Sequence, residues 1–256
     1  MKARIFSNFF FLLGFLSLIL HACKDPKAEP GASAEPADTE TVDSKLPLER
    51  LNLPEGFVIE TFAEGVDEAR SMAMGDDGTL FVGTRSANKL YAIQDLDGDY
   101  KADRTIVLDT SLKVPNGVAF RDGALYVAQV NRLLRYPNIE SQLDNPPEPE
   151  VIYEDYTTEF HHGWKYIAFG PDDKLYVPVG APCNICESED EIFASITRLN
   201  PDGTGMEIVH RGIRNTVGFT WHPETGELWF TDNGRDWLGD DKPACELNHA
   251  PQDGMH

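Results

Sequence analysis

The chain has 256 residues, of which 41% are hydrophobic and 10% aromatic, so it can bury a substantial core and does not have the composition of a disordered protein. Its formal net charge is −21, from 43 acidic and 22 basic residues. A field of that sign repels nucleic acid and anionic lipid headgroups, which excludes both as expected partners.

The N-terminus resembles a bacterial lipoprotein signal peptide. Lys2 and Arg4 precede an apolar run, Phe9 to Leu20, that is too short to span a bilayer comfortably. Ala22 stands directly before Cys23, so we expect cleavage there and lipidation of Cys23. The alternative is an ordinary secretory signal with an incidental cysteine. Lipidation predicts a protein of the bacterial cell envelope that contacts the membrane through its N-terminal lipid only.

A polar segment follows, rich in Pro, Ala, Glu, Asp, Thr and Ser, which buries too little apolar surface to offset its ordering entropy. We therefore predict a signal peptide at residues 1–22, a disordered tether at 23–47 and a folded domain at 48–256.

Four segments of the domain share one pattern, an apolar run, a turn with Asp, Gly or Pro, and a leucine that opens a second apolar run. The aligned leucines are Leu80, Leu125, Leu175 and Leu228, at spacings of 45, 50 and 53 residues. That period fits one four-stranded blade, so the sequence predicts an all-β propeller with about four blades present. Because a ring needs a closing blade, we expect the chain to be incomplete at its C-terminus.

An acidic loop precedes the second repeat. Asp95, Asp97, Asp99 and Asp103 stand mostly at alternate positions, as in calcium-binding loops, but the terminal Glu of an EF-hand is absent. A structural calcium site and an unmetallated turn both remain open.

Polar residues stand just before the first strand of each repeat. In a propeller these positions surround one mouth of the central channel, where binding groups concentrate. His161 can accept a proton near neutral pH, and Arg214 carries a fixed charge suited to a carboxylate or oxyanion. The alternatives are backbone-bonded loop histidines and an ordinary ion pair. The positions are Arg70, Ser71, Asn116, His161, His162, Lys165, Arg214 and Asn215.

Two cysteines, Cys183 and Cys186, lie in a loop near the same mouth. In an envelope protein a local disulfide is favoured over a zinc half-site, and the absence of a following His argues against haem attachment. Cys245 is then left over.

These motifs together resemble the glucose/sorbosone dehydrogenase family, six-bladed propellers that bind pyrroloquinoline quinone (PQQ) with calcium. The resemblance rests on the segment from His161 to Pro171, on Arg214 to Phe219 and on Glu246-Leu247-Asn248. It covers roughly residues 50–256.

The resemblance implies a role for several residues. His161 would be the general base, Arg214 and Asn215 would contact the quinone near its reactive carbonyl, and Arg214 would act in catalysis. Lys165 and Asn233 would also contact the cofactor, and the backbone carbonyls of Gly234 and Arg235 would help hold calcium. Cys245 departs from the family, which usually has Asp there, and the family's Lys and Arg residues that clamp the quinone carboxylates have no counterpart in this chain.

The resemblance predicts a PQQ-dependent enzyme that oxidises an aldose, sorbosone or related sugar or aldehyde and passes electrons to a cytochrome or quinone acceptor. Two alternatives are a calcium-dependent lactonase-type hydrolase and a non-catalytic sugar-binding propeller. The hydrolase calls for several carboxylates at the strand starts, whereas this sequence places His, Arg and Asn there.

Overall fold

The computed structural model describes residues 46–254. The predicted signal peptide, the lipidation of Cys23 and nearly all of the predicted tether lie outside the described residues. Within them, the regular structure consists of strands and two short 3₁₀ helices, at Leu48–Arg50 and Ile139–Gln142. No helix in this part of the chain is long and apolar enough to cross a membrane.

The strands form four antiparallel sheets that are arranged as the blades of a propeller, which confirms the predicted fold class and blade number. Each sheet is a meander in which strands pair in chain order. The first sheet contains β1 (Ala69–Met74), β2 (Leu80–Thr84), β3 (Leu90–Gln94) and β4 (Arg104–Asp109). The second contains β5 (Gly117–Arg121), β6 (Ala124–Ala128), β7 (Leu133–Tyr136) and β8 (Glu150–Tyr153).

The third sheet contains β9 (Ala168–Phe169), β10 (Leu175–Val179), β11 (Ser195–Leu199) and β12 (Glu207–Arg211). The fourth has three strands, β13 (Phe219–Trp221), β14 (Leu228–Asp232) and β15 (Glu246–Ala250). The four aligned leucines lie at or next to the start of the second strand of each sheet, because the Asp-, Gly- and Pro-rich turns before them close the inner hairpins.

The core consists of apolar side chains packed between neighbouring sheets. Phe81 and Leu125 contribute to the cluster between the first and second sheets, Tyr126 and Val177 to that between the second and third, and Phe219 to that between the third and fourth. The second strands of the first three sheets are buried almost throughout, as is expected when a sheet is covered on both faces.

The meander order places the loops on two opposite ends of the sheets. We call the end at which each first strand begins the entry face. Antiparallel pairing brings the β2–β3, β6–β7, β10–β11 and β14–β15 loops to the entry face as well. The β3–β4 loop, with its aspartates, lies at the opposite end.

Candidate functional site

A central cavity of about 430 Å³ opens among the first strands. Arg70 of β1 lines it, together with Asn116, Trp164, Tyr166 and Val217 from the segments that lead into the other three first strands. All four sheets therefore contribute to one channel, which is the geometry that the repeats predicted. The Asn116 side-chain amide donates to the Lys165 carbonyl at 2.7 Å and joins the second and third sheets there.

Two histidines stand side by side on the entry face, in the segment that leads into β9. The rings of His161 and His162 have centroids 4.0 Å apart; His161 is exposed, whereas His162 is buried. Nδ1 of His162 lies 2.9 Å from the Ala181 carbonyl oxygen, and because a carbonyl only accepts, this nitrogen carries the proton and leaves Nε2 with its lone pair. Burial lowers the pKa of His162, and the charges of His161 and Arg214 lower it further.

The guanidinium of Arg214 is held on two sides. Nε donates to the Asn184 carbonyl at 2.9 Å, and one terminal nitrogen donates to Asn184 Oδ1 at 2.7 Å. The other terminal nitrogen donates to the Asn233 carbonyl at 2.9 Å, while Asp236 Oδ2 lies 3.7 Å from the terminal nitrogen that is bonded to Asn184. The side chain is 18% exposed. Arg214 is thus fixed in position with a small part of its side chain exposed.

Asp232, at the end of β14, organises the backbone of the same segment. Its two carboxylate oxygens accept the backbone N–H of Arg214 at 3.0 Å and that of Asn215 at 2.7 Å. Burial raises the pKa of Asp232, and nearby Glu246 raises it further, while the two amide donors oppose the shift. The sequence analysis missed this residue, although a Thr-Asp pair that ends a buried strand beside Asn-Gly was a usable signal.

His162 and the backbone of Arg214 are connected through one residue, Ala181. Its carbonyl binds His162, and its N–H donates to the Arg214 carbonyl at 2.7 Å. Gly180 packs beside them, because a Cβ there would lie 2.4 Å from the His162 Cβ and 3.3 Å from Asn215 Oδ1. The structure therefore brings His162, with His161 against it, close to Arg214 and Asn215. None of these four residues is in the lining of the central cavity, to which Arg70, Ser71 and Asn116 of the predicted set contribute.

The segment predicted to hold calcium lies beside Arg214. Asn233 contributes its backbone: its N–H donates to the Asn215 carbonyl at 3.1 Å and its carbonyl accepts from Arg214. The carbonyls of Gly234 and Arg235 accept no hydrogen bond from residues 46–254. Gly234 packs against Pro243, since a Cβ there would meet Pro243 Cγ at 2.3 Å.

Lys165 differs from the expectation that it contacts a cofactor. Its side chain is 1% exposed, its ammonium donates to the Gly163 carbonyl at 3.2 Å, and it lies 5.3 Å from the centroid of the Tyr156 ring. Burial lowers its pKa to about 8. The lysine turns inward because its long apolar stem packs in the blade, so it does not face the mouth in this structure.

The Cys183–Cys186 disulfide is formed, and Asn184 lies inside its loop. The loop borders a cavity of about 750 Å³ whose wall also includes Arg211, Arg214 and Arg235. Cys245 is a free, exposed thiol.

The acidic loop lies away from these groups, at the opposite end of the first sheet. Carboxylate oxygens of Asp95, Asp97 and Asp99 all lie within 4.8 Å of one another. Asp103 lies outside this group, and its carboxylate accepts the Leu96 backbone N–H at 2.6 Å. The predicted four-residue set is thus reduced to three aspartates.

Two sequence comparisons found related proteins. Residues 44–245 match the model of a family described as a domain of unknown function, DUF7133. An uncharacterized protein of Borreliella burgdorferi is 27% identical over 212 residues, which are 77% of this chain and 53% of that protein.

Among solved structures, the PQQ domain of pyranose dehydrogenase from Coprinopsis cinerea has a TM-score of 0.62 at 16% identity, over 74% of this chain and 52% of that one. The PQQ-bound aldose sugar dehydrogenase of Streptomyces coelicolor has a TM-score of 0.60 at 22% identity, over 77% and 64%. A calcium structure of a Trichoderma reesei carbohydrate-active enzyme of family AA12 has a TM-score of 0.62 at 19% identity, over 74% and 53%. At these TM-scores and low identities, the similarity shows a shared fold. The chain spans between about half and two thirds of the length of these proteins.

Proposed function

The chain belongs to the DUF7133 family, and from its fold and channel mouth we propose that it is a PQQ-dependent dehydrogenase of sugars or aldehydes. Proteins with the same fold are named as PQQ-containing sugar dehydrogenases. The observation that carries the proposal is the connection through Ala181. It ties the ring of His162, which lies against the proposed base His161, to the backbone of Arg214, whose guanidinium is fixed by Asn184 and Asn233. Oxidation of a hydroxyl needs both kinds of group, because a proton leaves the oxygen while negative charge develops on the acceptor.

The residues present fit one edge of a quinone. Of the five guanidinium N–H groups of Arg214, three are used by Asn184 and Asn233, so two remain for an acceptor oxygen. The carbonyls of Gly234 and Arg235 accept no hydrogen bond from the described part of the chain, and such hard oxygens suit calcium. When bound, calcium and PQQ would supply a polarised two-electron acceptor.

The side chains of this protein would divide the remaining work. His161, exposed at the mouth, would take the proton of the substrate hydroxyl. His162 would support His161 by packing against it. The lowered pKa of His162 keeps its ring neutral, and its bond to Ala181 keeps that ring fixed. Arg214 and Asn215 would orient the acceptor, and Asp232 would hold the backbone that carries them. The electron acceptor, cytochrome or quinone, and the lipid anchorage at Cys23 are part of the same proposal.

Dye reduction by the complete chain with calcium and PQQ, over a panel of aldoses and aldehydes, tests the proposal. We expect turnover that falls by about two orders of magnitude in His161→Gln, the usual size of a general-base contribution. His222→Gln is the matched control, since His222 lies in the β13–β14 turn at the opposite end of its sheet. Absence of dye reduction with every substrate, in protein that binds PQQ, would refute the proposal, and lactone hydrolysis without PQQ would favour the hydrolase instead.

A further inference from the structure

Three basic side chains near Trp164 have no acidic partner among residues 46–254. They are Arg70, Arg85 and Lys113, and all three are exposed. Acidic residues outnumber basic ones 43 to 22 in this protein, so unpaired cations that gather at one place call for an explanation. The usual explanation is that such side chains are solvated surface charges, but the surroundings of these three side chains indicate a binding pocket.

Arg85 and Lys113 line one cavity of about 460 Å³ on the entry face. Arg85 follows β2, and Lys113 precedes β5, so the cavity lies between the first two sheets. Phe160 and Trp164 form an aromatic part of its wall. Trp164 also lines the central cavity, on which Arg70 lies. The two cavities are therefore neighbours, and Phe160 directly precedes His161 in the chain.

Arg85 is preorganised by the tryptophan. Its guanidinium carbon lies 3.9 Å from the centroid of the Trp164 ring, a cation–π contact that engages the face of the guanidinium. The N–H edge stays available, and this planar fork matches the two oxygens of a carboxylate.

The loop that carries Lys113 is also held in place. The Lys113 backbone N–H donates to Gln129 Oε1 at 2.7 Å, and that of Val114 donates to Asn88 Oδ1 at 2.9 Å. Val114 has a φ of +50°, an unfavourable conformation for a β-branched residue, and such strain persists where the surroundings impose it, often at ligand sites. Lys113 thus projects from a fixed backbone.

Two acidic residues that directly precede β1 have partners other than the pocket cations. Glu68 accepts the backbone N–H groups of Ser86 and Ala87, and Asp67 pairs with Lys89 at 2.8 Å. Neither carboxylate forms an ion pair with Arg85 or Lys113, so the charged groups of these two side chains are available to an external anion.

We propose that the Arg85–Lys113 pocket binds the carboxylate of an acidic sugar, so that the substrate class is a uronic acid. This proposal rests on the proposed function and names its substrate class. A hexuronate carries its carboxylate at the opposite end from the anomeric carbon. With the carboxylate between Arg85 and Lys113 and the ring against Phe160 and Trp164, the anomeric end extends toward His161.

Calorimetric titration of the complete chain in low salt, without PQQ, tests the proposal. D-glucuronate should bind at least tenfold more tightly than D-glucose or the uncharged methyl ester of glucuronate, and the difference should shrink as salt is added. The double variant Arg85→Gln/Lys113→Gln should lose the preference but keep its weak binding of glucose. Arg50→Gln/Lys101→Gln, which removes two exposed cations located elsewhere, should bind as the parent does.

The possible results separate this proposal from the proposed function. Equal binding of glucuronate, its methyl ester and glucose would overturn the uronate pocket. If the double variant weakened PQQ binding and left glucuronate binding unchanged, the cations would belong to the cofactor, and this assignment would also be wrong. Dye reduction with neutral sugars and no carboxylate preference would support the dehydrogenase and contradict the uronate pocket. Carboxylate preference without any dye reduction would support the uronate pocket and contradict the dehydrogenase.

Discussion

Asn184 holds the guanidinium of Arg214 with both of its oxygen atoms. Its backbone carbonyl accepts Nε at 2.9 Å, and its side-chain oxygen accepts a terminal nitrogen at 2.7 Å. The same side-chain oxygen accepts the backbone N–H of Asp236 at 2.8 Å. One residue of the third sheet thus fixes both the cation of the proposed site and the loop that follows β14.

Asn184→Ala should therefore weaken the proposed site more than the fold. It removes one acceptor of Arg214 and two hydrogen bonds to the Asp236 backbone, which costs roughly 1–2 kcal/mol in the free energy of unfolding. Because a displaced cation no longer faces the acceptor oxygen, turnover should fall by about tenfold or more. Thermal unfolding and dye reduction measure the two effects.

Asn200→Ala is the control for that substitution. Asn200 bonds Thr204 at 3.0 Å in the β11–β12 turn, at the opposite end of the same sheet. Its loss should reduce stability and leave turnover unchanged. Equal turnover in the two variants would contradict the positioning role of Asn184.

Opening the Cys183–Cys186 disulfide should act on the same contact. Closing so short a loop stabilises the chain by only about 2 kcal/mol in the entropic model. Cys183→Ser/Cys186→Ser should therefore stay folded, while Asn184, inside the opened loop, loses its fixed geometry. We expect lower turnover, and no further loss when Asn184→Ala is added, because both changes release Arg214. Additive losses in this double-mutant cycle would show that the disulfide acts elsewhere.

The large-scale architecture was predictable from the sequence, because each inner hairpin is encoded locally. Gly75 to Gly78 and His222 to Gly226, for example, form turns between apolar runs, and the structure has a β-hairpin at each place. The contacts within the site were not predictable. Asn184 meets Arg214 across 30 residues, and Arg85 meets Trp164 across about 80, through loops whose paths no local pattern specifies.

The burial of Lys165 was also not predictable, because a basic residue before a strand is expected to be exposed when only the sequence is considered. Spacing alone predicts Asp103 in the acidic cluster, whereas in the structure its carboxylate lies outside the other three and accepts the Leu96 backbone N–H. In both cases the path of the folded backbone, which no local pattern specifies, decides the position of the side chain.

Lys165→Met should stabilise the protein at neutral pH. Burial lowers the pKa of Lys165 to about 8 from the usual 10.5, so keeping the amine charged at pH 7 costs the folded state on the order of 1–3 kcal/mol. Methionine fills similar space without a charge. Chemical denaturation at pH 7 measures the gain.

The same substitution should change how stability depends on pH. Between pH 8 and 10.5 the unfolded chain holds a proton on Lys165 that the folded chain has lost, so this residue makes stability rise with pH across that window. Below pH 8 both states are protonated and the contribution is constant. The advantage of Lys165→Met should therefore be largest below pH 8 and vanish near pH 10.5. A variant that is less stable at pH 7, or that binds PQQ more weakly, would restore Lys165 as a ligand-binding residue.

Calcium should stabilise the first sheet through Asp95, Asp97 and Asp99. Their oxygens lie within 4.8 Å of one another, and a divalent cation would relieve the repulsion among three carboxylates. With a dissociation constant of about 10⁻⁴–10⁻³ M, as in extracellular calcium modules, 10 mM calcium would add roughly 1–3 kcal/mol to the free energy of unfolding and raise Tm by about 3–10 °C.

Two variants test the assignment of this shift in Tm. Asp97→Asn should abolish the shift, whereas Asp76→Asn, in the exposed β1–β2 turn, should preserve it. Because the loop lies at the end opposite His161, the shift should persist in His161→Gln. A Tm that calcium leaves unchanged in the parent chain would show that the loop is an unmetallated turn.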